Sequence, residues 1–242
     1  MAAQVAIYEL HTNKRSRMIA AAMREGITRH GDAATITASH NYRRPEGQIA
    51  VFYGFDRKLR QIFDEYRGRG RTVVFGDLGY WGRRDGGALS GYHKVAVNSR
   101  HPTDYFMAKR HDPSRFKRFG LQIAEYRTGT HILLAGMSAK SADSEGFKPT
   151  EWERRTVSRL RQHTDRPIVY RPKPSWVEAA PIEGTEFAPG LDDLPRLLND
   201  CHAIVTHHSN VAIDALLAGV PAFSATGAAS VIAPSDLSRS AA

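Results

Sequence analysis

Apolar positions recur along the 242-residue chain in two rhythms. Short runs rich in Val, Ile, Tyr and Phe read as strands, and longer stretches with apolar residues three and four apart read as helices. In the first half, QVAIYEL (4–10), ATITAS (34–39), QIAVFYG (48–54), RTVVFGD (71–77) and YHKVAVNS (92–99) are predicted strands. Two predicted helices separate them. NKRSRMIAAAMREGITRHG (13–31) has Asn13 placed as its cap and Gly31 beyond its end. RKLRQIFDEYRGRG (57–70) gathers Leu59, Ile62, Phe63 and Tyr66 on one face.

The second half repeats the alternation. HILLAG (131–136), RPIVYRPKP (166–174), HAIVTHH (202–208) and VPAFSA (220–225) are predicted strands. PTEWERRTVSRLRQHT (149–164), LDDLPRLLNDC (191–201) and NVAIDALLAG (210–219) are predicted helices. This order predicts an α/β fold with mainly parallel sheets. The polar stretch RHDPSRFKRFGLQIAEYRTG (110–129) breaks the rhythm and reads as the crossing from one half to the other. The expected domains are therefore 1–126 and 127–242.

Composition narrows the class. No apolar run approaches the roughly 20 residues of a membrane helix, and the first residues lack the basic-then-apolar pattern of a secretory signal. The one cysteine, Cys201, excludes an internal disulfide framework and a Cys-rich zinc site. It lies beside an apolar strand, so a packed, inert thiol and a cytoplasmic location are expected. The formal net charge of +9 favours polyanionic partners, nucleic acid among them.

Chemistry is expected beyond the carboxyl ends of parallel strands. After AIVT come His207, His208, Ser209 and Asn210, then a helix. Ser209 or Asn210 can cap that helix, whose start attracts an anion. Asp214 falls one turn further on the same face, and Gly219 with Pro221 ends the helix. Two adjacent histidines on a strand point apart, and no His-Glu-x-x-His accompanies them, so no metal site is expected. In VYRPKPSW, Arg171 and Lys173 alternate with prolines and can face one way to meet a diphosphate. In LLAGMSAKSADSEG, Gly136, Ser138 and Lys140 form a small loop able to approach phosphate. Its spacing is not that of a Walker loop, and no Gly-x-Gly-x-x-Gly follows a strand, so a nicotinamide or flavin site is not expected. In the first half, Asp77 ends a strand ahead of Tyr80, Trp81, Arg83 and Arg84, and His101 follows Arg100 after another. Asp77 and His101 are the candidates for removing a proton from a hydroxyl. Tyr80 and Trp81 are candidates for stacking on a sugar or base.

HHSNVAIDALLAGVPAF (207–223) resembles the nucleotide-sugar site of GT-B-fold glycosyltransferases, in which a polar strand end precedes Glu-Ala-Leu-x-x-Gly-x-Pro. Here Asp214 stands for the Glu, one methylene shorter. VYRPKPSW is similar to the His-Pro segment of bacterial capsule-type transferases, with Lys173 where a histidine is usual. More generally, the chain resembles compact phage-encoded proteins of glycosyltransferase type. The resemblance implies two Rossmann-like halves and a nucleotide-sugar as co-substrate, with no tightly bound cofactor. It implies a donor site built from the second half, with Ser209 and Asn210 on phosphate and Asp214 on ribose or sugar. The acceptor is expected between the halves. With the positive charge, a polyanionic acceptor such as hydroxymethylated bases in phage DNA is the sharpest expectation, and it requires base extrusion. The alternatives are a capsule or lipopolysaccharide glycan, or a non-catalytic nucleotide or nucleic-acid binder on the same fold.

Overall fold

The nine predicted strands and one short additional strand assemble into two five-stranded sheets, one in each of two units, Met1–Pro102 and Thr103–Ala242. The structure is a computed structural model that describes residues 3–80, 91–108, 110–189, 194–233 and 236–238, and counts here refer to these residues.

The first unit runs β1 (Gln4–Glu9), α1 (Lys14–Arg29), β2 (Ala33–Ala38), β3 (Ile49–Tyr53), α2 (Arg57–Gly68), β4 (Thr72–Leu78) and β5 (His93–Val97). The strand order is β2-β1-β3-β4-β5. The first four strands pair in parallel, and β5 runs antiparallel to β4. Both helices start as their sequences predict. Asn13 Oδ1 accepts the Ser16 N–H at 3.0 Å, and Asp56 Oδ1 accepts the Leu59 N–H at 2.9 Å, each satisfying an otherwise orphaned first-turn donor. α1 covers one sheet face through Ala20 against Val5, Ile7 and Val51. α2 covers the other through Leu59, Ile62 and Tyr66 against Phe52 and Phe75.

The second unit runs α3 (Thr103–Met107), α4 (Ser114–Lys117), β6 (His131–Ala135), α5 (Ala139–Ser144), α6 (Glu151–Leu160), β7 (Ile168–Arg171), β8 (Glu186–Phe187), α7 (Leu194–Asn199), β9 (Cys201–Thr206), α8 (Val211–Leu217) and β10 (Ala222–Ser224). All its pairings are parallel, in the order β10-β9-β6-β7-β8. α7 and α8 pack on the face carrying Leu133, Val169 and Ile204. α6 packs on the face carrying Leu134, Tyr170 and Val205. Cys201 is buried, its thiol donates to Ala203 O at 3.1 Å, and burial pushes its pKa up to about 11. That is a packed thiol held in its unreactive form.

Five elements differ from the sequence expectation, two of them the short helices α3 and α4, which it did not announce. Residues 139–144 form α5 where a loop was expected, because Ser138 Oγ accepts the Ser141 N–H at 3.2 Å and starts a helix. β7 ends at Arg171 and does not extend to 174, since Pro172 has no N–H for the ladder. β8 has two residues, too few for any alternation to announce it. No helix among the described residues is long and apolar enough to cross a membrane.

The polar stretch after residue 102 groups with the second unit, and its end is tied there by the Ala124 N–H donating to Leu217 O at 2.8 Å. This contact explains Gly219. Its φ is +76°, and a Cβ there would lie 2.1 Å from Glu125 O. Gly26, inside α1, has nothing within 4 Å of its would-be Cβ. Gly219→Ala is therefore expected to lose about 1–3 kcal/mol of stability, and Gly26→Ala to gain about 0.5–1 kcal/mol. Urea unfolding of the two variants checks the contrast.

Candidate functional site

Four neighbouring strands of the second sheet end on one line. Arg171 of β7 is in register with Ala135 of β6, Ala135 with Thr206 of β9, and Thr206 with Ser224 of β10. At the usual strand spacing this row is about 14 Å long, and four loops leave from it side by side. The row is buried: Arg171, Ala135, Thr206 and Ser224 are each at most 6% exposed. Thr206 Oγ1 donates to Ala135 O at 3.0 Å and accepts the Ser209 N–H at 3.2 Å. The Gly136 N–H donates to Arg171 O at 2.9 Å, which continues the pairing one step past the end of β6.

Beyond the row stand the residues singled out in the sequence. Gly136 and Ser138 leave β6, and Lys140 lies on α5. Arg171 is the buried last residue of β7, whereas Lys173 is exposed, so the two do not form one outward-facing pair. A buried guanidinium stays protonated, so Arg171 brings fixed positive charge to the row. Ser209 Oγ accepts the Val211 N–H at 3.3 Å and is the side chain that caps α8. Asn210 has helical dihedrals and makes no capping bond through its side chain. Asp214 sits on α8, half-buried.

The two histidines converge, contrary to expectation. They lie past the end of β9, where strand alternation no longer applies, and their Nδ1 atoms are 2.9 Å apart. One ring therefore donates to the other. His207 is buried edge-on against Phe147 and Trp152, at ring-centroid distances of 5.6 and 5.5 Å. His208 is half-buried. Among the described residues no group of three or more His, Cys, Asp and Glu is arranged to hold a metal ion.

Glu153 is a residue the sequence reading missed. It is fully buried on α6, and its Oε1 accepts the Met137 N–H at 2.6 Å, at the start of the β6–α5 turn. Its Oε2 is buried without a hydrogen-bond partner, as is the Tyr170 hydroxyl. A Cβ on Gly136 would lie 2.6 Å from the Tyr170 ring and 3.1 Å from Glu153 Oε1, so only glycine lets the turn sit on this pair. Burial raises the pKa of Glu153. The sequence signal was available: in PTEWERRTVSRL, Glu153 shares a face with Val157 and Leu160.

In the first unit, Asp77 and His101 come to one cluster. Asp77 Oδ1 accepts its neighbour's Leu78 N–H at 2.8 Å. Asp77 is paired across the strands with Lys94 of β5, a residue the sequence reading left aside. Lys94 is buried, and its Nζ lies 3.0 Å from both Arg100 O and His101 Nδ1. Tyr80 OH is 3.0 Å from the same Nδ1, and the two rings stack. Burial pulls the Lys94 pKa down to about 8, with Asp77 acting to raise it and Arg100 to lower it. Trp81, Arg83 and Arg84 lie outside the described residues.

No family model and no curated protein matches the chain. Solved structures do. The KpsC beta Kdo 2,4 transferase of Thermosulfurimonas dismutans aligns with a TM-score of 0.53 at 10% identity, over 93% of this chain and 80% of that one. The KpsC beta Kdo 2,7 transferase of the same organism aligns with a TM-score of 0.51 at 12% identity, over 91% and 78%. The UDP-GlcNAc 2-epimerase of Methanocaldococcus jannaschii, solved with UDP-GlcNAc and UDP, reaches a TM-score of 0.31 at 9% identity, over 93% and 83%, too low to bear on the fold. The chain thus has a GT-B-like α/β fold with mainly parallel sheets, shared with glycosyltransferases at low identity.

A raised carboxyl pKa means that the folded state holds the proton more tightly than the unfolded state. The stability it contributes is complete at acid pH and is lost as pH rises through the raised value. Glu153→Gln keeps an acceptor for Met137 and removes the charge. The variant is expected to match wild type near pH 4 and to exceed it increasingly toward pH 8. Melting temperatures across that range check it, and a constant gap contradicts it.

Proposed function

We propose that the chain is a nucleotide-sugar-dependent glycosyltransferase. The observation that carries this reading is the in-register row of strand ends in the second sheet, with its small, basic and hydroxyl-bearing loops. The likeness in fold to two Kdo transferases supports it. In this reading the donor lies across the row. Gly136, Ser138, Lys140 and Ser209 approach its phosphates, while Asn210, His207 and His208 complete the pocket. Asp214 contacts ribose or sugar.

Transfer forms a bond from the acceptor oxygen to the anomeric carbon and breaks the bond from that carbon to the phosphate oxygen. Negative charge grows on the departing nucleotide, and Arg171 and Lys173 stabilise it. The acceptor hydroxyl loses its proton to a base, for which Asp77 and His101 are the proposed residues.

The acceptor in this reading is polyanionic, and DNA carrying hydroxymethylated bases is its sharpest form. The net charge of +9 supports it. So does the segment around α3 and α4, where Tyr105 and Phe106 are exposed beside Arg110, Arg115, Lys117 and Arg118. Exposed rings among cations suit unstacked bases. A capsule or lipopolysaccharide glycan is the alternative acceptor. A non-catalytic binder is the second reading, favoured by two departures from the transferase pattern, Asp214 for Glu and Lys173 for His.

Thermal unfolding against a panel of nucleotides and nucleotide-sugars tests the donor site. A ligand at a hundred times its dissociation constant adds about 2.7 kcal/mol, a shift of roughly 5–10 °C for a chain of this size. The expected result is a selective shift for one nucleotide family that disappears in the Ser209→Trp, Asp214→Ala double variant. No shift with any member of the panel contradicts the reading.

A further inference from the structure

The cluster at the carboxyl end of β4 contains more chemistry than a pair of candidate bases. Lys94 reaches it from the antiparallel strand β5, on the sheet face that also carries Phe75 and Ala96. Its Nζ lies over the Phe75 ring at 5.4 Å and over the Tyr80 ring at 5.5 Å. Arg100 O and His101 Nδ1 are each 3.0 Å away. We propose that Lys94 is a positioning residue that holds His101 as the neutral imidazole protonated on Nε2, so that His101 offers an N–H donor and Asp77 is left as the base. The last clause rests on the transferase reading; the state of the ring does not.

The direction of the bond follows from the donor inventory. An ammonium has three N–H groups and no lone pair. While Lys94 is charged, its bond to His101 has one direction only, with Nδ1 as acceptor. The carbonyl of Arg100 takes a second N–H. A neutral imidazole that accepts at Nδ1 carries its proton on Nε2. Protonating Nδ1 as well would set a cationic ring with its N–H 3.0 Å from an ammonium, and this like-charge contact disfavours the second proton even though the Tyr80 hydroxyl could accept it. With a pKa of about 8, Lys94 is mostly charged at neutral and acid pH.

The groups around this contact agree with that sense. Asp77 faces Lys94 from β4 and favours its charged form. Tyr80 follows β4, and desolvation pushes its half-buried phenol up to about 12, so it stays protonated, adds no charge and can donate to the same Nδ1 at 3.0 Å. Arg100 extends over the Phe55 ring at 4.9 Å. From α2 the same face receives the apolar Leu59 and Ile62, while Tyr66 is engaged with Tyr8 at 2.9 Å. His93 alternates to the opposite face, against Tyr53. A general base needs a lone pair in reach of its proton. Nδ1 has its lone pair committed to Lys94, and Nε2 carries a hydrogen, so the ring is a donor. Among the described residues of the cluster, Asp77 is the carboxylate that remains.

The test is nitrogen-15 NMR of the full chain labelled at histidine, with His101 assigned by comparison with His101→Gln. The expected wild-type result is a neutral, Nε2-protonated His101 that persists down to pH 5.5. In Lys94→Met, His101 is expected to be protonated at pH 5.5. In Lys94→Arg, which keeps the cation, it is expected to stay neutral. A wild-type His101 that carries its proton on Nδ1, or is an imidazolium at pH 5.5, overturns the proposal. So does a Lys94→Met protein in which the ring stays neutral. If Lys94→Met does not fold, the wild-type tautomer and the Lys94→Arg titration still decide it. The spectra are recorded without any sugar donor, so absence of sugar transfer and failure of this inference are separate outcomes.

Discussion

The hydroxyl of Thr206 ties together the carboxyl-end edge of the second sheet, where the candidate site lies. It donates to Ala135 O on the neighbouring strand and accepts the Ser209 N–H of its own loop. A side chain 2% exposed thus joins the end of the central strand β6 to that of its neighbour β9 and sets where the chain turns toward α8. Losing a buried hydroxyl with both its partners left in place costs more than the bonds themselves, because the partners stay desolvated. The loops carrying Gly136, His207 and Ser209 are placed relative to one another by this bond. Arg171 and Ser224 extend the same row on either side.

The two faces of that sheet edge are built differently. Toward α8 the row presents the Arg171 guanidinium and the Thr206 and Ser224 hydroxyls, which donate to Ala135 O and Thr226 O. Toward α6 it rests on Glu153 and Tyr170, two buried groups of which each has an oxygen without a hydrogen-bond partner. The Met137 N–H is held by that carboxylate and not by another carbonyl. The β6–α5 turn therefore depends on a group whose charge is costly to bury. In the first unit the same economy of partners recurs at Lys94, a buried cation whose N–H groups are directed to a carbonyl and an imidazole.

Much of this was legible in the sequence. Alternation located β1 to β5 and the strands 131–135 and 201–206, and Asn13 announced the start of α1. Strand ends rich in Gly, Ser, His and Arg marked the edge where the candidate site lies. What escaped had physical reasons. α5 is a six-residue helix whose cap, Ser138, looks like any serine in a polar loop. The convergence of His207 and His208 depends on β9 ending at Thr206, two residues short of the predicted strand end at 208. Arg171 and Lys173 share a strand period, yet Pro172 ends β7 and sends them to different environments. Lys94 and Glu153 are charged residues on core faces. Pattern reading assigns such residues to solvent unless the period is followed strictly, and the period does place Lys94 with Ala96 and Glu153 with Val157.

On the proposed function, the row of strand ends in the second sheet receives a nucleotide-sugar. Hydrogen–deuterium exchange of the full chain, with and without a saturating nucleotide-sugar, reads this out. Protection gained on binding is expected to concentrate in residues 136–140, 171–175 and 206–214. Protection confined to other segments, or none with any sugar nucleotide, contradicts it.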